Sequence, residues 1–204
     1  MFITFEGPNG VGKTTVISAV SEKLSSLGFS LLLTKEPTKS NLGDFLRSSE
    51  ESYGGACLAC IAAADRYFHI EQEVQPALSE GKLVISDRYV ESSLVLQRLD
   101  GCTLEFIWGL HSQILVPELS VILVAKPTTL SQRLTSRGKK PSRFERTETR
   151  ERELCFYHEA GVFLSAHGFN VLVLENESDS TDEVVNQIVV RIQELHPHRK
   201  GGDS

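Results

Sequence analysis

Short apolar runs alternate along this chain with longer stretches whose apolar positions recur at helical spacing. FITFE (residues 2–6) has the unbroken apolar character of a buried strand. Residues 13–27 then read as a helix, with Val16, Ile17, Val20, Leu24 and Leu27 near helical spacing and Gly28 as its stop. FSLLLT (29–34) predicts a second strand. Pro37 and TKSN (38–41) predict a loop, and LGDFLRSS a short helix after it. Gly54-Gly55 breaks the chain before a long helix over 56–79, in which Pro76 marks a kink or a late boundary. KLVISD (82–87) predicts the third strand, with helices over 91–98 and 103–115 behind it. ELSVILVA (118–125) and FNVLVLE (169–175) complete five strands, and a helix over 181–195 closes the pattern. Apolar strands separated by helices imply an α/β fold, a parallel sheet covered by helices on both faces. No linker or internal repeat divides the chain, so residues 1–195 are expected to form one domain, with mobile insertions at 137–146 and around 48–55. The polar tail HPHRKGGDS (196–204) is expected to be disordered.

Composition narrows the class. The 204 residues are 40% apolar and 24% charged, as in an ordinary globular protein, and no run of about 18 apolar residues suggests a membrane span. No basic and apolar leader opens the chain, which points to a cytoplasmic protein. A formal charge of -6 argues against broad binding to nucleic acid. Cys57 and Cys60 have C-x-x-C spacing, but no second ligand pair stands at zinc spacing. Within CLACIAAAD they read as small apolar residues on a buried helix face, in a reduced protein.

The chemistry begins at GPNGVGKTT (7–15). Gly7, Gly12, Lys13 and Thr14 satisfy G-x-x-x-x-G-K-[ST], between a predicted strand and a predicted helix, the context that this motif requires. Glycines let successive backbone N–H groups face one concavity, and the helix N-terminus adds positive potential. Gly7, Pro8, Asn9, Gly10, Val11, Gly12, Lys13, Thr14 and Thr15 are therefore the candidate ATP cradle, with Lys13 reaching the β/γ-phosphates and Thr14 holding Mg2+. LVISDRY (83–89) supplies Asp87 at a strand end, the second candidate Mg2+ residue, and Arg88, a candidate clamp for a phosphate on the acceptor side. No N-K-x-D motif is present, which sets a GTPase aside.

With these motifs in place the sequence resembles the thymidylate kinase family over roughly residues 2–195. FEGPNGVGKTT is similar to the family's P-loop, and TKEPTKSNLGDFLR (34–47) to its T-R-E-P loop and the helix after it. AAADRYFHIEQEVQPALSEGKLVISDRYVESS (62–93) resembles its A-D-R to D-R-Y-S-S run, and SRFE (142–145) its lid motif. The resemblance implies a P-loop nucleoside monophosphate kinase fold with a five-stranded parallel sheet and a mobile lid. It implies ATP and Mg2+, a nucleoside monophosphate substrate and a homodimer. It also implies an acceptor site built from Asn9, Glu36, Pro37, Arg47, Ala62, Arg66, Arg88, Ser92, Leu96 and Gln97.

The lid agrees on its own residues. Positions 133–152 hold eight basic residues (Arg133, Arg137, Lys139, Lys140, Arg143, Arg146, Arg150 and Arg152) against Glu145, Glu148 and Glu151, so the segment is net +5. Arg150 and Arg152 read as a solvated helix face. In RGKKPSR, glycine and proline interrupt the helix, so cations there could close over a transferring phosphoryl group and exclude water. Gly10 and Val11 leave the P-loop without an arginine, which makes Arg143 and Arg137 the first candidates for that role.

Four positions depart from the family pattern on the acceptor side. Asn9 stands for an acid near the sugar 3′-hydroxyl, and Lys35 for the arginine of T-R-E-P. Ala62 stands for a phenylalanine that stacks on thymine, with Tyr53, Tyr67 and Phe68 as possible substitutes. Leu96 stands for a tyrosine near the ribose 2′ position. The expected acceptor is a pyrimidine nucleoside monophosphate like dTMP, with CMP, UMP, dUMP or a modified pyrimidine nucleotide as alternatives. A P-loop kinase of another small molecule and an ATP-dependent switch are the competing readings. His69 is read as structural or solvent-facing, and Trp108 with Leu104–Leu115 as core or dimer surface.

Overall fold

The computed structural model describes residues 1–136, 147–178 and 180–196. The expected lid at 137–146 and all but the first residue of the expected tail lie outside them. Five strands, β1 (Phe2–Glu6), β2 (Leu31–Lys35), β3 (Leu83–Asp87), β4 (Leu119–Val124) and β5 (Val171–Glu175), form one sheet. Its order is β2-β3-β1-β4-β5, and every pairing is parallel. β1 is central and all five of its residues are buried, as its apolar run predicts.

Two apolar layers cover the sheet. On one face α1 (Lys13–Ser26) and α9 (Asp182–Leu195) pack Val16, Val20, Leu24, Ile188 and Ile192 against Ile3, Phe5 and Val121. On the other, Tyr89 and Leu94 meet Phe2 and Ile122 together with Tyr157 and Leu164. These come from α5 (Val90–Leu99, with Tyr89 at its N-cap) and α8 (Thr147–Ala166).

Four of the five strands begin one or two residues later than their apolar runs suggest, and for β2, β3 and β5 the reason is the same. α1 ends with Gly28 at φ 88, the Gly28 N–H donating to Ser25 O (2.9 Å) and the Phe29 N–H to Leu24 O (3.1 Å). This is a Schellman closure, in which the residue after the glycine folds back on the helix rather than pairing in the sheet. Gly81 and Lys82 close onto Leu78 and Ala77 in the same way, and Gly168 and Phe169 onto Ser165 and Leu164. Phe29 and Phe169 are buried as caps, so the strands start at Leu31 and Val171.

The expected helix over 56–79 divides into α3 (Gly55–His69), a π-helical segment (Ile70–Val74) and α4 (Gln75–Ser79). The wide turn sits immediately ahead of Pro76, which has no N–H for an α-helical bond. α2 (Asn41–Ser49) is capped by Ser40, whose Oγ accepts from the Gly43 N–H at 3.2 Å. Residues 50–54 form a short turn, with the Tyr53 N–H donating to Ser49 O at 2.9 Å. α6 (Leu104–Leu110) stops five residues before the expected end, because the chain turns there to bury His111.

Two further expectations are corrected, for the cysteine pair and for Arg150. Cys57 and Cys60 are exposed rather than buried, because the inward face of α3 is taken by Leu58, Ala59, Ala62 and Ala63. Arg150 is buried and not on a solvated face, with its guanidinium donating to Ser131 Oγ on α7 (Pro127–Ser136). Arg152 is exposed and lies over the Phe156 ring, 5.4 Å from its centroid. Trp108 is half-buried and packs on Phe163, His167 and Phe169.

One buried acid makes the fold sensitive to pH. Glu91 on α5 is fully buried and accepts from Ser120 Oγ, which also meets Thr4 Oγ1 at 2.8 Å. Its Oε2 has no partner among the described residues. Burial, and then the nearby Glu6 carboxylate, push its pKa up to about 8. Between the unfolded value of 4.5 and that value the folded state holds the extra proton, so stability falls as pH rises through the window. Glu91→Gln is expected to lose less thermal stability than the wild type between pH 5 and pH 8, measured by circular dichroism melts at both.

Candidate active site

β1 ends at Glu6 and the chain turns at once into the glycine-rich loop. Gly7, Gly10 and Gly12 have φ of 134°, 89° and 96°, a region open to glycine and strained for other residues. Gly7 allows no side chain on steric grounds either, since a Cβ there would lie 2.2 Å from the Leu123 carbonyl oxygen. α1 begins behind Gly12 with no side-chain cap, so its first-turn N–H groups have no competing side-chain acceptor there. Lys13 is buried, its Nζ donating to Gly7 O at 2.6 Å and Pro8 O at 3.2 Å. Burial, then repulsion from Arg88, bring its pKa down to about 7. Thr14 and Thr15 are exposed on the first turn of α1.

A second strand end meets this loop. Asp87 closes β3 opposite Phe5 and Lys35, and its Oδ1 is buried with no partner among the described residues. Thr14 and Asp87 line one cleft. The described residues contain no group of three or more His, Cys, Asp or Glu able to hold a metal alone. One hydroxyl and one orphaned carboxylate oxygen suit a hard, oxygen-seeking divalent ion that takes its other ligands from phosphates and water. Arg88 follows with φ 82, an uncommon value for a side chain of that size. Its Nη2 donates to Asn9 Oδ1 at 2.6 Å and its Nη1 to Ser92 Oγ at 3.0 Å.

A cavity of about 260 Å3 opens beside Asn9 and Arg88. Of the residues expected at the acceptor site, Glu36, Pro37, Ala62, Arg66, Ser92, Leu96 and Gln97 also line it. Arg47 does not. Its guanidinium donates to Pro37 O (2.8 Å) and Thr38 O (2.6 Å), holding the loop after β2 from outside. Lys35 is also absent from the lining and faces the cleft of Thr14 and Asp87. Tyr53, Tyr67 and Phe68 do not supply the missing ring. Tyr67 donates to Leu110 O (3.0 Å), Tyr53 leans on Phe45, and Phe68 is exposed. No aromatic residue lines the cavity among the described residues; Leu46, Leu58, Ala62 and Leu96 form its apolar wall.

Arg66 anchors the cavity. Its Nε and Nη2 donate to Glu36 Oε2 at 2.9 and 2.7 Å, and Nη2 also donates to Tyr89 O at 2.7 Å. Nη1 donates to Ser93 Oγ at 2.9 Å and meets the His111 ring, with Nε2 at 2.9 Å. Burial disfavours the Arg66 charge, but Glu36 outweighs it and the pKa is raised. His111 is held neutral, with its pKa lowered to about 2 by burial and then by Arg66. His69 is buried, and its ring meets Glu36 Oε1 (3.1 Å) and Thr34 Oγ1 (2.8 Å).

On the opposite side of the loop a larger cleft, about 520 Å3, is lined by Gly10, Gly12, Thr15, Thr129, Arg133 and the Asn176–Ser178 turn among others. Arg133 donates to Asn176 O at 2.8 Å and Ser178 O at 2.9 Å. Sequence reading missed this wall, as it missed Leu46, Glu50, Leu58, Asp65, Ser93 and Glu153 in the smaller cavity. The one available signal was Asn176-Glu177, polar residues placed directly after an apolar strand run. Arg137 and Arg143 lie outside the described residues.

Comparison with known proteins agrees with this arrangement. A family model described as thymidylate kinase matches residues 5–188. A probable thymidylate kinase of Thermococcus kodakarensis is 31% identical, over 96% of this chain and 98% of that protein. One from Methanococcus maripaludis is 34% identical, over 96% of both chains. One from Caldivirga maquilingensis is 36% identical, over 68% of this chain and 69% of its own length. With the P-loop, the five-stranded parallel sheet and the paired clefts carried by the matched residues, the chain belongs to the thymidylate kinase family, as an ATP-dependent nucleotide kinase.

Proposed function

We propose that this kinase transfers the γ-phosphate of ATP, with Mg2+, to a dTMP-like pyrimidine nucleoside monophosphate bound in the cavity beside Arg88. The observation that carries the reading is the junction between the two clefts. Asn9 belongs to the P-loop and is bonded to Arg88, and both line the smaller cavity, so donor and acceptor phosphates would meet there. Phosphoryl transfer needs positioning and charge neutralisation more than a strong base. Lys13 and the first-turn N–H groups of α1 would hold the donor phosphates. Thr14 and Asp87 would hold Mg2+, which neutralises phosphate oxygens. Arg88 would hold the acceptor phosphate, and Arg143 with Arg137 would close from the lid. Arg47 and Glu36 act on the acceptor through the loop that they hold.

The wall of Leu46, Leu58, Ala62 and Leu96 favours a second reading of the acceptor, as CMP, UMP, dUMP or a modified pyrimidine nucleotide. Without a stacking ring, selection for thymine rests on fewer contacts. A homodimer is part of the proposal, supported by exposed Phe68 on α3 and Phe106 on α6. A cytoplasmic setting is supported by the absence of any disulfide among the four cysteines. No described helix is long and apolar enough to cross a membrane.

Assays with ATP, Mg2+ and a panel of dTMP, dUMP, CMP and UMP test the acceptor, and acceptor-dependent ADP formation is the expected result. Lys13→Met is expected to lower kcat by about 100-fold or more while the chain stays folded, the usual scale for removing a cation aimed at transition-state charge. Retention of wild-type kcat would remove Lys13 from the chemistry. Leu96→Tyr is expected to cut kcat/KM for a ribonucleotide acceptor relative to its deoxy analogue by about tenfold, the scale of one steric contact in a pocket. An unchanged ratio would place the 2′ position elsewhere.

A further inference from the structure

Glu6 is the last residue of β1 and directly precedes the glycine loop. It is fully buried. Its carboxylate reaches across the sheet to the start of α5. Oε1 accepts from the Tyr89 N–H at 2.6 Å and the Ser92 N–H at 3.1 Å, and Oε2 accepts from Ser92 Oγ at 2.9 Å. Arg88 Nη1 lies 4.0 Å from Oε2 and donates to the same Ser92 Oγ at 3.0 Å. α5 has Tyr89 at its N-cap position and no side-chain cap of its own. Glu6 supplies that cap from another strand, on the N–H groups that a local cap would satisfy. A carboxylate at a helix N-terminus is also favoured by the helix dipole.

The position of this cap has a functional consequence. Arg88 sits in the strained left-handed region, where a side chain persists only if its surroundings over-determine it. Glu6 grips the residue that follows Arg88 through the Tyr89 N–H and steadies its guanidinium through Ser92 Oγ. α5 then carries Ser92, Ser93, Leu96 and Gln97 into the acceptor cavity. Burial raises the Glu6 pKa, and Arg88 is the largest opposing influence, ahead of the Tyr89 N–H.

We infer that Glu6 is a positioning residue of the transfer reaction, which fixes Arg88 and the acceptor face of α5 relative to the phosphate cradle that begins at Gly7. This rests on reading Arg88 as the acceptor-phosphate clamp. The test is steady-state kinetics of the full chain with ATP and its best acceptor. Glu6→Gln keeps the volume but sets an amide against one of three donors. It is expected to raise the acceptor KM by roughly tenfold or more and to lower kcat, with the ATP KM within about twofold of wild type. Ser92→Ala removes the link between Glu6 and Arg88 and is expected to raise the same KM. The double variant should fall short of the product of the two effects, because both break one connection.

An acceptor KM unchanged in Glu6→Gln, or ATP and acceptor KM raised equally, overturns the inference and leaves Glu6 as a structural cap. If Glu6→Gln does not fold, Ser92→Ala decides alone, and an unchanged acceptor KM there is equally fatal. A wild-type chain that transfers phosphate to no nucleoside monophosphate overturns the functional reading and the inference with it.

Discussion

A buried guanidinium with every donor satisfied holds the cavity beside Arg88 together. Taking Arg66 and Glu36 out of water costs several kcal/mol per ion, and their attraction offsets this only when the remaining hydrogen bonds are made. All five N–H groups of Arg66 meet acceptors, on the loop after β2, the backbone at Tyr89, Ser93 and the His111 ring. Removing either partner strands a buried charge, which costs about 3–5 kcal/mol. Such a pair adds little net stability, but it permits one arrangement of four chain segments. The cavity walls from the loop, α3 and α5 are therefore set relative to one another. The shortened α6 belongs to the same arrangement, since the chain leaves the helix to bring a neutral His111 against Arg66.

The glycine loop is built on another principle. It exposes backbone N–H groups, and its shape depends on which residues have no side chain. Gly7 combines a positive φ with close approach to the Leu123 carbonyl of β4, so no side chain fits at the start of the loop. The glycine loop thus depends on the register of the central strands, and the cavity beside Arg88 on a side-chain network mounted over them. Glu6 and the Asn9–Arg88 hydrogen bond are where the two constructions meet.

This division explains what could be read from the sequence. Strands buried on both faces appear as apolar runs, and a loop that needs glycine at fixed spacing appears as a motif, so sheet and phosphate loop were both legible. Strand starts were read early because Phe29 and Phe169 are apolar whether they pair in a sheet or cap a helix. The acceptor network was legible only as a set of residues. Nothing in the chain order says that Arg47 spends its guanidinium on the carbonyls of residues 37 and 38, or that Lys35 faces the cleft of Thr14 and Asp87. Charge density misled in the same way at Arg150, whose burial against α7 depends on a neighbour distant in sequence. Cys57 and Cys60 were placed on the wrong face because α3 carries small apolar residues nearly all round, which leaves its periodicity weak.

Asn9 takes on a second meaning in this light. An acid at that position, bonded to Arg88 at the same distance, would form an ion pair and draw down the positive potential that the guanidinium offers an incoming phosphate. The carboxamide keeps the hydrogen bond at 2.6 Å and leaves the charge uncompensated from that side. Among the described residues Glu6 lies 4.0 Å from Arg88 Nη1 and already accepts three hydrogen bonds, and Asp87 and the Tyr157 hydroxyl also act on the guanidinium. Arg88 is thus oriented through Asn9 and Ser92 by neutral hydrogen-bond partners. On the proposed reading, an amide in place of an acid at residue 9 would weaken one contact to the sugar and strengthen the hold on the acceptor phosphate. Under the same proposal, recognition of the acceptor would rest more on phosphate than on base and sugar, in the same direction as an alanine at residue 62 in place of a stacking ring.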